Sequence, residues 1–315
     1  MSKKILITGA SGLVGSRLTE LLLQKGHSVS HLGRSKKSGA VPSFVWDVEA
    51  GTLDSKALDN VDTIIHLAGA GVADKRWTKS RKEEILSSRV KSTQLLCDVL
   101  SKGNHPVKTV VSASAIGYYG FGFGEEVFTE NSKPGNDFLA QVTKQWERTV
   151  NQLESLNLRV VKLRIGIVLS DKGGALVEMA KPIRLGVGSP LGTGEQFLSW
   201  IHLDDLCAMF IKAAEDETMH GAYNAVTGDW ITNAELTKMI AKILKKPLWL
   251  PNVPAFMMKI ILGEMAVIVV NGSKVSADKI KGTGFEFNFT NLREALVSLL
   301  SNKFKVKGRV LHFYF

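Results

Sequence analysis

The segment Thr8-Gly9-Ala10-Ser11-Gly12-Leu13-Val14-Gly15 follows the β-branched run Ile5-Leu6-Ile7 and opens a helical pattern that reaches Lys25 and stops at Gly26. A strand that becomes a helix over three glycines has a specific use. Gly9 permits the tight turn, Gly12 lets backbone approach a pyrophosphate, and Gly15 lets the helix pack on the strand. Ser11, Leu13 and Val14 lie where the turn and the first helical residues offer backbone N–H groups, and the helix dipole adds positive potential. The preceding strand and following helix separate this segment from an ordinary glycine turn. Its spacing is G-x-x-G-x-x-G rather than G-x-G-x-x-G.

Outward from this turn, strands and helices alternate. Ser28 to Leu32, Phe44-Val45-Trp46 and Thr63-Ile64-Ile65-His66-Leu67 read as strands. Ser80-Arg81-Lys82-Glu83 has the form of a capping box and predicts a helix running through Leu96. Val107 to Ser112 and Arg159 to Leu163 are two further strands around a helix over Phe138 to Leu156. This order predicts an α/β protein, a Rossmann-type doubly wound parallel sheet with helices on both faces. After Leu169 the pattern loosens into the glycine-rich loops Gly173-Gly174 and Gly186 to Gly194. Asp204, as an N-cap, and Thr232, in a capping box with Glu235, begin two more helices. The expected organisation is a nucleotide-binding domain over residues 1–228, whose loops of 170–200 contribute to a substrate lobe. A small C-terminal domain over 246–298 and a basic tail over 299–315 complete it.

The 315 residues are 44% hydrophobic and 22% charged, which excludes a disordered chain and provides for a sizeable core. The net charge of +10 is local: residues 1–40 carry seven basic residues against Glu20. Residues 301–315 carry Lys303, Lys305, Lys307 and Arg309 without an acid, and the chain between is neutral. That distribution points away from nucleic acid as a partner. Cys97 and Cys207 fit no redox spacing, and the seven histidines fit no metal spacing. The apolar run at the N-terminus is too short for a signal peptide. The stretch from Val253 to Val270 is interrupted by Lys259 and Glu264, so it reads as buried helix rather than membrane span. A cytoplasmic protein with a small-molecule substrate and no membrane partner is expected.

With Leu67-Ala68-Gly69 closing the fourth strand, the glycine segment resembles the short-chain dehydrogenase/reductase superfamily, extended type. More narrowly it resembles the epimerase-related branch with a small C-terminal domain of unknown function. Further matching segments are Arg76-Trp77, Ser88-Arg89-Val90, Ser112 to Gly120, Trp200-Ile201-His202 and Gly263-Glu264-Met265-Ala266. The resemblance spans nearly the whole chain. It implies a nicotinamide dinucleotide along Leu67, Ala68 and Gly69, with backbone of Arg164 to Ile167, Gly166 included, near the nicotinamide. It puts Asp47 near the adenine amino group, although a plain turn acid reads equally well. It also implies a homodimer through helices of the Ser80 and Phe138 regions.

An NAD-preferring site places an acid roughly 20 residues past the glycines, against the ribose 2′-OH. No acid stands between Glu20 and Asp47, and the second strand ends Leu32-Gly33-Arg34-Ser35-Lys36-Lys37. A guanidinium at Arg34 and a hydroxyl at Ser35 suit a 2′-phosphate, and Lys36 and Lys37 face the same pocket and add field, so NADP(H) is the expected cofactor. The family pattern N-V-x-G-T reads Arg89-Val90-Lys91-Ser92-Thr93 here. The cation at Arg89 is placed to reach cofactor phosphate or substrate. Glu84 either orients it or bonds a ribose; a surface pair without consequence is the alternative.

The family's chemistry uses a Tyr-x-x-x-Lys pair with an upstream Ser or Thr. Ser114 matches the hydroxyl, but none of the four tyrosines has lysine four residues on, and Ala140 stands four before Lys144. Tyr119 or Tyr118, partnered by Ser114, is the expected acid, with Asp137, Lys144 and Glu147 in reserve. Aromatic packing under a lid of Gly117, Gly120, Gly122 and Gly124 reads equally well. His202 reads as a structural histidine. Two functions remain open: an NADP-dependent oxidoreductase or epimerase for a small polar substrate such as a sugar nucleotide, and a non-catalytic NADP(H)-binding sensor or partner.

Overall fold

A computed structural model describes residues 2–103, 105–122 and 126–301. Gly124 and the tail lysines lie outside the described residues. The chain begins β1 (Lys4–Thr8), α1 (Leu13–Gln24), β2 (Ser28–Gly33), β3 (Ser43–Asp47) and β4 (Thr52–Leu53). It continues through β5 (Thr63–His66), α2 (Lys79–Leu100), β6 (Thr109–Ala115), β7 (Val127–Phe128), α3 (Phe138–Asn151) and β8 (Arg159–Ile165). Next come β9 (Ile167–Leu169), α4 (Ala175–Arg184), β10 (Phe197–His202), α5 (Leu203–Glu215), β11 (Gly221–Ala225), β12 (Trp230–Thr232) and α6 (Asn233–Leu244). The described part ends with α7 (Ala255–Leu262), α8 (Val267–Val270), β13 (Lys274–Val275), α9 (Asp278–Lys281) and α10 (Leu292–Leu300).

One eight-stranded sheet has the order β11-β8-β6-β5-β1-β2-β3-β4, parallel throughout except for β3 with β4. Its central strands are apolar on both faces: Ile5, Leu6, Ile64, Ile65, Val110 and Val111 are all buried. That composition is what helices on both sides require. Strand order runs outward from β1 in both directions, so a crevice opens where β1 and β5 end. The glycine turn sits at that point. A second apolar cluster, with Leu176, Trp200, Ile240 and Leu296, packs α4, α6 and α10 around the three-stranded sheet β12-β10-β9.

The late chain is stitched back into the early chain. β13 pairs parallel to β7, and Asn224 Nδ2 donates to Ser276 O at 3.1 Å. Asp205 is fully buried; its Oδ1 accepts from Asn288 N at 2.8 Å and its Oδ2 from Phe289 N at 3.0 Å.

Three local expectations are corrected. Thr78, not Ser80, caps α2: its Oγ1 accepts from Arg81 N, and Ser80 already lies within the helix. His202, not Asp204, caps α5 through Nδ1, while Asp204 is drawn away to Arg17 at 2.7 Å. The stretch Val253 to Val270 is not a buried helix. Pro254 and Gly263 confine α7 to eight residues, and only Met258 on it is buried. Phe256, Ile260 and Ile261 are exposed, so an all-round apolar composition here fills a surface rather than a core. Among the described residues no helix is long and apolar enough to cross a membrane. The capping box Thr232–Glu235 is present in both of its hydrogen bonds.

Candidate functional site

Gly9 has φ +67°, and a Cβ there would lie 2.8 Å from the Leu67 carbonyl. At Gly15 a Cβ would come within 2.6 Å of Ala10 Cα and Gly9 O. These two glycines therefore exist for close packing of turn, strand and helix. Gly12 differs: its nearest neighbour would be Gly9 O at 3.3 Å, and it caps α1 without a side-chain hydrogen bond. The first turn of α1, including Leu13 and Val14, carries no acid to engage its N–H groups. The corner thus keeps unsatisfied donors and dipole for an anion. Beside it lies a cavity of about 320 Å³ that runs from Gly9 and Ser11 past His31 to Gly33, Ser35 and Lys37. Arg34 is exposed next to that cavity rather than lining it. Asp47 spends its Oδ1 on the backbone N–H groups of Glu49 and Ala50, both at 3.0 Å, as a turn acid does.

The other wall is organised by a hydrogen-bond chain that the sequence did not announce. Thr8 Oγ1 accepts from Leu67 N at 3.1 Å and Ala68 N at 3.2 Å, so its own proton goes to His66 Nδ1 at 2.8 Å. His66 Nε2–H then faces Thr93 Oγ1 at 3.1 Å, and Thr93 donates to Arg89 O at 2.7 Å. Every member is satisfied only while His66 is neutral. Burial agrees, pushing the imidazole down to about 4. The unfolded chain, with His near 6.5, takes the proton first. Stability from this site is complete above about pH 6.5 and falls as pH drops towards 4, by roughly 3 kcal/mol in all. Urea unfolding across that window is expected to show a shallower pH slope in His66→Gln than in the parent; equal slopes would place the proton uptake elsewhere.

Gly69 ends this wall against α2, where a Cβ would meet Arg89 Cγ and Cζ at 3.2 Å. Arg89 Nη1 donates to Ala70 O and Ile85 O, and its Cζ stands 5.2 Å from the Trp146 ring. No carboxylate pairs with it among the described residues. Burial, with Arg81 nearby, lowers its pKa to about 10. Glu84 does not serve Arg89: it is exposed and takes Arg81 Nη1 at 2.6 Å. That bond holds its carboxyl below the ordinary range, and Lys75 and Arg34 add to the field.

Beyond β6 the structure brings Ser114, Tyr119 and Arg164 into one buried network centred on a residue of α3, with Tyr118 stacked against it. Asp137 caps that helix, accepting from Ala140 N at 3.0 Å, and Lys144 points outward as an exposed side chain. Glu147 shares the buried stripe with Thr143, Trp146 and Val150. Arg164 Nε and Nη2 fork onto its two oxygens at 2.8 Å each, and Ser114 Oγ donates to Oε1 at 2.6 Å. Arg164 Nη1 also donates to Tyr119 Oη at 2.9 Å, and Tyr119 donates to Asn224 Oδ1 at 2.6 Å. Burial pushes the Tyr119 phenol up to about 12 against the pull of Arg164. For Arg164, burial opposes the charge, but Glu147 overrides it and raises the pKa. Tyr118 is half-buried beneath the Arg164 guanidinium, 3.6 Å from ring centroid to Cζ. Its hydroxyl has no hydrogen bond among the described residues. Gly166 is packed among strands: its N donates to Ala225 O, and a Cβ would lie 2.5 Å from Ser199 O.

Sequence reasoning missed His66 and the Glu147–Arg164 pair, while Lys37, expected to face the 2′-phosphate pocket, does line the cavity. Glu147 left one signal, an acid inside an apolar helical stripe, which demands a buried cation. His66 left a weaker one, a polar residue closing a strand buried on both faces.

The sequence profile described as the NAD dependent epimerase/dehydratase family matches residues 5–225. The chain belongs to this family. A second profile, a domain of unknown function (DUF1731), matches residues 253–299. Epimerase family protein YfhF of Bacillus subtilis (strain 168) is 34% identical over 302 residues, 95% of this chain and 98% of its own. The crystal structure of human epimerase family protein SDR39U1 (isoform 2) with NADPH superposes with TM-score 0.84 at 30% identity, covering 95% of this chain and 99% of that one. The nucleoside-diphosphate sugar epimerase of Corynebacterium glutamicum gives TM-score 0.78 at 30% identity, over 95% of this chain and 58% of that one. The family is NAD dependent by its description, and the human relative's structure is with NADPH; the crevice at β1 and β5 is the topological switch point at which sheets of this kind admit ligands.

Proposed function

We propose that this family member binds NADP(H) in preference to NAD(H) and uses it in an oxidoreductase or epimerase-type reaction on a small polar substrate such as a sugar nucleotide. The carrying observation is the far end of the glycine-corner cavity, lined by Ser35 and Lys37 and by no carboxylate. A 2′-phosphate there meets an ammonium and a hydroxyl, with Arg34 adding charge from its exposed position. A bare ribose finds no carboxylate for its 2′-OH. Arg89, with donors to spare beside Gly69, is the second anion contact. The human relative's NADPH supports this preference, and the Corynebacterium relative's name supports the substrate class. Fluorescence titration tests it: Lys37→Ala and Arg34→Ala are each expected to weaken NADPH about tenfold, the value of one charge-assisted contact, and NADH little. Equal losses for both cofactors sink the preference.

The bound cofactor gives or takes hydride at its nicotinamide. Of the hydroxyls nearby, those of Ser114 and Tyr119 are committed to Glu147 and Asn224. Tyr118 keeps its proton uncommitted under Arg164, and it is the proton-handling group in this reading. The same commitment of Ser114 and Tyr119 favours the second reading, a cofactor-binding sensor. Stopped-flow mixing of NADPH-loaded protein with nucleotide sugars and carbonyl compounds separates the two. A nicotinamide absorbance change that Tyr118→Phe abolishes supports the enzyme, and silence across the panel supports the sensor.

A further inference from the structure

A second cavity shares no lining residue with the one at the glycine corner. It is an open cavity of about 560 Å³ between the loop at Gly192-Thr193 and the C-terminal helices, lined there by Lys259, Glu264, Val267, Val270 and Asn271. This volume is in the range of small-molecule sites. Its loop wall is preformed. Gly192 N donates to Val253 O at 2.8 Å, Val253 N to Pro190 O at 2.9 Å, and Asn252 Nδ2 to Thr193 O at 2.9 Å. Gln196 Nε2 ties both walls together, donating to Leu191 O at 3.0 Å and Val269 O at 2.7 Å.

The polar groups within it are unequally committed. Glu264 is paired with Lys82 of α2, so its charge is met. Lys259 has no hydrogen-bond or ion-pair partner among the described residues. Thr193 Oγ1 accepts from Glu195 N at 3.2 Å and keeps its own proton. Asn271 Nδ2 donates to Val267 O at 3.1 Å, which leaves its Oδ1 open. One uncompensated cation, one free hydroxyl proton and one amide oxygen thus belong to residues that line a single cavity with the aliphatic Val267 and Val270. We propose that this cavity binds a second small molecule, in which a phosphate or carboxylate is joined to a ring or other apolar body. The anion meets Lys259 and Thr193, and the body lies on Val267 and Val270. The site is built by the segment matching the domain of unknown function together with the loop facing it, and gives that segment a ligand of its own.

Calorimetric titration of the full chain with phenyl phosphate and with benzoate, each with and without NADPH, tests the assignment. Saturable binding of either anion, unchanged by NADPH, is expected. Lys259→Ala, an exposed position that leaves packing intact, should weaken it at least about tenfold. Val270→Trp should abolish it by filling the cavity. No saturable heat with either anion overturns the site. So does competition by NADPH, or a Lys259→Ala protein that binds as tightly as the parent.

Discussion

Replacing Glu147 with glutamine is expected to lower the free energy of unfolding by about 3–5 kcal/mol, the cost of leaving a buried guanidinium without its carboxylate. The side chains of Arg164 and Glu147 are 5% and 8% exposed, so water cannot take over the charge. Glutamine keeps one oxygen for Ser114 or Arg164 but removes the charge and one acceptor of the fork. The loss also spreads, because Arg164 positions Tyr119, and Tyr119 reaches Asn224 on β11. Urea unfolding should show a lower midpoint at unchanged slope. Tyr119→Phe, which orphans Asn224 Oδ1 and leaves Arg164 Nη1 with the Glu130 carbonyl, should cost less, about 1–3 kcal/mol. A Glu147→Gln protein within about 0.5 kcal/mol of the parent would mean that the pair is dispensable.

The second large effect separates two glycines of one turn. Gly9→Ala is expected to destabilise the fold by about 3 kcal/mol, from a strained positive φ and a contact with backbone that cannot yield. The backbone at Leu67 and Ala68 is pinned by Thr8, so the corner has no room to shift. Gly12→Ala meets only Gly9 O at 3.3 Å and should fold nearly normally. It should nevertheless weaken NADPH by about a hundredfold, since the added methyl stands where phosphate approaches the helix. Thermal unfolding without cofactor, followed by cofactor titration, reads the two effects apart. A Gly12→Ala protein that binds NADPH normally would remove the phosphates from this corner.

Local chemistry was legible in the sequence, and partnerships across the fold were not. The glycine turn, the alternating elements and the box at Thr232 and Glu235 are contained in short stretches, and the structure reproduces them. Ser80 and Glu83 make the same pattern, yet Trp77 decides the helix start. Its ring packs on Phe138 at 4.9 Å, and Nε1 donates to Val72 O, which leaves Thr78 as the first free hydroxyl. Asp204 fails as a cap because Arg17 claims it from the other end of the nucleotide-binding region. Lys36 and Lys37 were legible as a pair adding field, and the loop's return to Ser43, whose Oγ accepts from Lys37 N, is what puts Lys37 rather than Lys36 in the cavity lining. At the candidate catalytic end, Ser114 and the tyrosines were visible as residue types. That Glu147 and Arg164 claim them depends on how α3 crosses β8, which no local pattern specifies.

The return of the late chain to the early one has a consequence for how the protein is made. β7 waits for β13, Asn224 for Ser276, and the buried Asp205 for Asn288 and Phe289. A ribosome delivers the whole cofactor sheet long before it delivers those partners. Until then the nascent chain holds a buried carboxylate site and a strand edge with nothing to satisfy them, a state prone to wrong pairing. Residues 274–289 therefore act on their own polypeptide much as a late-arriving subunit does. Completion of the early half becomes contingent on synthesis of a segment about fifty residues beyond β11.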